Sequence, residues 1–200
     1  MKTAGKIVKI VALSISFFIF AFFLFRILTM GDPDSLTSID WNPAAKEAYL
    51  KDPESFSAVS QKQQVFITND GKFWISGILY LQEAKQLQLT IKYNDSTLKA
   101  LAEQIEGELP EEPFSYSLLD SAGTRYTDYD FRVERKQNYS YRRLIFYGID
   151  LTDIATVYVD IYYSGAVDYE QPPYSSLMTW NRALPVEKVD VKASLPDDLK

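Results

Sequence analysis

The sequence predicts a mainly β protein: an antiparallel, immunoglobulin-like β-sandwich ectodomain with one or two short helices, preceded by a single N-terminal transmembrane helix. Three observations predict it. An uncharged run of sixteen residues, Ile10 to Phe25, lies near the N-terminus. From Gln64 onward the apolar residues recur with a period of two, the repeat of half-buried strands. Turn signals punctuate that pattern every 8 to 15 residues without alternating helices, which argues against a parallel α/β sheet.

Residues 1–6 form a cytoplasmic N-terminus and residues 7–30 a signal-anchor helix. Twenty-four residues at about 1.5 Å each span roughly 36 Å, enough for a hydrocarbon core of about 30 Å. Six of the twelve Phe and none of the fourteen Tyr lie in this stretch, as a lipid-facing surface next to a water-facing domain requires. No small-x-small cleavage site follows. Lys2, Lys6 and Lys9 precede the span, whereas Arg26, Asp32 and Asp34 follow it, so the N-terminus stays inside and the remainder lies outside the plasma membrane. Membrane lipid around residues 7–30 is thus the first expected partner.

Residues 31–60 read as a stalk with a short helix: Asn42 offers an N-cap, Pro43 a first helical position, and the pattern predicts a helix from about Pro43 to Lys51. Residues 61–193 carry the sandwich and 194–200 a polar tail. The strands expected are Val65–Thr68 and Phe73–Leu81 around an Asn69-Asp70-Gly71-Lys72 turn, then Leu87–Tyr93 with one buried and one wet face. A helix starting at Asp95 follows, with Leu98, Leu101 and Ile105 at helical spacing and Gly107 as its stop. Alternation resumes at Phe114–Leu118, Tyr129–Glu134, Tyr139–Ile149 and Val157–Tyr163, and Val186–Ala193 reads as the last strand.

Seventeen of the twenty-one Lys and Arg and all twenty-seven Asp and Glu follow Gly31, giving that portion a net charge of −10 and arguing against nucleic acid as a partner. With no Cys and no His, Ser-His-Asp and Cys-His catalysis and the usual zinc sites are excluded, and no catalytic, cofactor or metal residue is predicted. Eleven of the fourteen Tyr fall between Tyr116 and Tyr174. Exposed aromatics on a rigid sheet stack on sugar rings or anchor a protein, so Tyr158, Tyr162, Tyr139, Tyr141 and Arg142 are the candidate residues for a protein or glycan partner. The expected function is non-enzymatic binding of a partner protein or cell-envelope polymer. Two alternatives stand beside it: a carbohydrate-active enzyme using paired carboxylates among Asp128, Asp130 and Asp160, and an accessory subunit whose helix packs in a membrane complex.

Overall fold

The computed structural model describes residues 2–29, 38–61, 72–103, 112–136, 138–163 and 169–200. They fall into two units, Met1–Pro33 and Asp34–Lys200.

The first unit is a single helix, α1 (Lys2–Thr29), of 28 residues. Its described side chains run from Val11 to Phe25, and all are exposed except the half-buried Ala21. Leu13 is 77% and Phe18 is 73% exposed, an apolar surface that water does not favour. Among the described residues no helix is long and apolar enough to cross a membrane. Of the transmembrane helix expected over residues 7–30, residues 7–29 are helical, and no span is found among the described residues.

The second unit is mainly β. Its strands are β1 (Ala58–Gln61), β2 (Phe73–Leu81), β3 (Gln86–Asn94), β4 (Phe114–Asp120), β5 (Arg125–Tyr126), β6 (Tyr129–Lys136), β7 (Tyr139–Phe146), β8 (Thr156–Tyr163), β9 (Ser175–Asn181) and β10 (Val186–Lys188). Every pairing is antiparallel. One sheet has the order β10-β1-β2-β3-β7-β6, the other β5-β4-β8-β9. The two sheets face each other over one core, in which Leu87, Leu89 and Ile91 from β3 meet Tyr116 and Leu118 from β4 and Val157, Val159 and Ile161 from β8.

The antiparallel sandwich agrees with the period-two reading; an immunoglobulin strand order is not seen among the described residues. Here β1, β2 and β3 are neighbours in one sheet, whereas an immunoglobulin domain sends its third strand to the other. A register shift between Ile75 and Gly77 explains why Phe73 and Ile75, but then Ile78 and Tyr80, point into the core: the extra residue flips the alternation. A similar shift opposite Val157 and Tyr158 lets both Leu177 and Trp180 of β9 reach the core. That irregularity hides β9 from a strict alternation pattern.

Helix α2 (Pro43–Lys51) starts where the sequence places it, with Asn42 Oδ1 accepting the Ala45 backbone N–H at 3.0 Å. Ala45 packs with Ile39, Phe56, Ala58, Leu79 and Leu81 in a second apolar cluster, against the outer side of the larger sheet. Strand β1 also lies in the expected stalk region. Helix α3 (Asp95–Ala102) begins as expected; its continuation to Ile105 and Gly107, and the strand Val65–Thr68 with its turn, lie outside the described residues. Strand β10 is only three residues long and exposed, and residues 192–199 form two short 3-10 turns rather than a strand end and a tail. They are tied back by Trp41 Nε1, which donates to the Ser194 carbonyl at 2.7 Å, and by the Lys46–Asp198 pair at 2.5 Å.

Candidate functional site

Alternation along β3 predicts a wet outer face, and most of that face is dry. Gln86, Gln88 and Thr90 are 0% exposed, and the chain from Ser38 to Asn42 lies over them. Gln88 Oε1 accepts the Asp40 N–H at 2.9 Å while its Nε2 donates to the Asp40 carbonyl at 3.0 Å, the two bonds a strand neighbour would make. Asn42 and Gln86 exchange amide bonds at 3.0 and 3.1 Å. Arg143, beside Thr90 on β7, donates to the Ser38 carbonyl and to Gln88 Oε1, both at 2.8 Å. Burial pulls the Arg143 guanidinium down to about 10, partly opposed by the Asp40 carboxylate. This polar ladder is structural and holds the segment that leads into the domain.

Arg142 points the opposite way, into the sandwich. It is 1% exposed, paired through Nε with Glu112 Oε2 at 2.9 Å, and lies 5.5 Å from the centre of the Tyr93 ring. Arg142 therefore cannot touch a partner, contrary to the sequence expectation, because two consecutive strand residues face opposite sides. Nor do the five candidate residues share a surface, since β7 and β8 belong to different sheets. Tyr141 is buried and Tyr139 half-buried on the outer side of the larger sheet, with Lys92 Nζ at 5.3 and 4.5 Å from their ring centres.

Tyr158 and Tyr162 do share a face, the outer side of the smaller sheet. Three cross-strand rows build it. Leu119, Tyr158 and Met178 form one row, Ser117, Asp160 and Ser176 the next, and Ser115 with Tyr162 the third. Tyr158 is 40% exposed. Tyr162 is buried, its ring edge-on to Tyr169 at 5.1 Å, so it supports the surface rather than presenting itself. Burial also raises the Tyr169 phenol.

At the middle of these rows sits Arg125 from β5, which in the sequence looks like no more than the end of a turn. Its Nη1 lies 2.6 Å from Ser117 Oγ, 2.8 Å from Asp160 Oδ2 and 2.8 Å from the Tyr162 hydroxyl. Ser176 donates to the other Asp160 oxygen at 2.7 Å. Asp160 is nearly buried, whereas the Arg125 side chain is 28% exposed. Among the described residues neither Nε nor Nη2 of Arg125 has a hydrogen-bond partner. The guanidinium is thus gripped by one edge and offers the other. In sequence Asp160 reads as solvent-facing, since it alternates with the inward Val159 and Ile161; its burial in the structure is what demands a cation.

Of the carboxylates considered for an enzyme, Asp160 lies on a different sheet from Asp130. Asp130 lies on β6 of the larger sheet, where its Oδ2 accepts the Tyr147 hydroxyl at 2.5 Å, and Asp160 lies on the smaller sheet with both oxygens engaged. Asp128, ahead of β6, is exposed. No protein-family model, curated protein or solved structure matches the chain. The site must be read from its own chemistry. A cleft of about 590 Å³ lies elsewhere on the domain, lined by Tyr49, Phe56, Gln82, Lys188 and Asp190.

Proposed function

We propose that the chain is a single-pass membrane protein, N-terminus in the cytoplasm, whose outer β domain binds a polyhydroxylated cell-envelope polymer without transforming it. The observation that carries the binding reading is Arg125. A rigidly held guanidinium with spare donors lies on the same face as Tyr158, the one exposed ring among that face's described residues. A sugar ring can stack on Tyr158 while its oxygens accept from Nε and Nη2 of Arg125. A single exposed ring bordered by hydroxyls suits a glycan better than a protein hot spot, which needs a desolvated apolar centre. The membrane reading rests on α1, whose described apolar side chains are exposed along its length.

The test uses the full chain in detergent micelles and isolated envelope polysaccharide. Tyr158→Ala should weaken binding about tenfold, the effect of losing roughly 1.4 kcal/mol at a contact centre. Its circular dichroism should match that of the unaltered chain. Polysaccharide binding that Tyr158→Ala leaves unchanged, or no binding at all alongside capture of a single protein, would refute the glycan reading. Failure of alkaline carbonate to retain the chain in membranes would refute the anchor.

A further inference from the structure

We infer that β6 is a self-recognition edge, through which two copies of this chain pair antiparallel about Val133; this is independent of what the Tyr158 face binds. Strand β6 ends the larger sheet, and among the described residues no strand pairs with its outer side. An edge of eight residues is a template for a further strand. On its inner side Phe131 and Val133 remain 46% and 43% exposed, so apolar area is left for a partner to cover.

The charges on the other side name the partner. Asp130, Arg132, Glu134 and Lys136 alternate in sign along one face of the strand. All four also interact within their own chain, Asp130 Oδ2 accepting the Tyr147 hydroxyl and Arg132 Nε reaching Asp40 Oδ2 at 3.2 Å, and a second strand adds to these contacts; the Arg132 side chain is 68% exposed. When a second β6 runs antiparallel with Val133 opposite Val133, Asp130 faces Lys136 and Arg132 faces Glu134, and symmetry repeats both pairs. All four cross-strand pairs are then attractive. Sliding by one pleat in either direction sets Arg132 against Arg132 with Asp130 against Glu134, or Glu134 against Glu134 with Arg132 against Lys136. Those registers are repulsive throughout, so the same four residues select one alignment and reject its neighbours. On the inner side Val133 meets Val133, and each Phe131 ring meets an Arg135 guanidinium of the other copy. Among the described residues the other sheet edges carry no such code: β5 and β10 have two and three residues, and β9 is uncharged.

The chain has no Cys, so single cysteines report cleanly. Directly opposed strand residues have Cα atoms about 4.5 to 5.5 Å apart, within disulfide reach. In the proposed register residue 131 and its counterpart are four positions apart, about 14 Å. The full chain in micelles, under mild oxidation, should therefore form a covalent dimer with Val133→Cys at least tenfold faster than with Phe131→Cys or Arg135→Cys. Glu134→Lys, carried in the Val133→Cys chain, should slow that crosslink by a similar factor. Adding Arg132→Glu should restore it, with thermal melts confirming that each variant folds. Equal rates at the three positions, no crosslink at 133, or slowing by Glu134→Lys that Arg132→Glu does not rescue would overturn the inference.

Discussion

Replacing Gln88 by Leu removes the residue that joins the incoming chain to the sheet while keeping its size. The substitution leaves the Asp40 N–H and the Asp40 carbonyl without their bonds at 2.9 and 3.0 Å, and takes one acceptor at 2.8 Å from the Arg143 guanidinium. Asp40 is 8% and Arg143 1% exposed, so water does not readily replace these partners. Two orphaned backbone groups and one under-satisfied cation at about 1 to 3 kcal/mol each, against a small gain from the apolar side chain, give a net loss of about 3 kcal/mol. In urea, with a slope of about 2 to 3 kcal/mol per molar, the midpoint should fall by about 1 M. The unfolding can be followed by Trp fluorescence, because Trp41 sits in the affected segment, stacked 5.5 Å from Phe56. Hydrogen exchange gives the local readout: amides of residues 38–42 should exchange faster, whereas those of β8 should change only through the global loss. A midpoint within about 0.2 M of the unaltered chain, or unchanged protection at 38–42, would refute the idea that the polar ladder holds this segment.

Two further outcomes follow from buried charge and buried phenols. Glu112→Ala strands Arg142 inside the sandwich and should cost about 2 to 3 kcal/mol, less than a fully buried pair because the Glu112 side chain is 34% exposed. Adding Arg142→Met should return part of that loss, measured by the same urea midpoints; a double variant no more stable than Glu112→Ala would refute the stranded-charge argument. Burial raises the phenols of Tyr80, Tyr93, Tyr116 and Tyr129 above 10 in the folded state. Above about pH 10 the unfolded chain loses phenolic protons that the folded chain keeps, so stability present below that pH is lost as the pH rises. Arg143, lowered to about 10, acts in the opposite direction but is one group against four. Melting temperatures should fall between about pH 9.5 and 11, and phenolate absorbance should lag in the folded state; a flat profile would contradict the burial of these rings.

Where the alternation is regular, the sequence is a sufficient guide. Strands β3, β6, β7 and β8 and the start of α2 lie where period and capping place them, since both signals are local. It misleads where an extra residue breaks the period, at Gly77 and opposite Tyr158, and where a polar face is covered by distant chain. Gln88 and Thr90 look like water-facing residues because nothing near them in sequence shows that Asp40 will lie over them. The Tyr-rich segment likewise reads as one surface, but β7 and β8 enter different sheets and only Tyr158 remains well exposed.

By itself the sequence determined what depends on neighbours along the chain: a long apolar helix, an acidic β domain, no His or Cys chemistry, and the alternating charges of β6. The tertiary structure decided what depends on distant partners. It turned Arg142 inward to Glu112 and Arg143 outward to Ser38, and it brought Arg125, 35 residues away, onto Asp160. The physical reason is that a strand specifies only which side each residue takes. Which side becomes interior, and what lies against it, is settled when the sheets and the chain that crosses them bury their surfaces together.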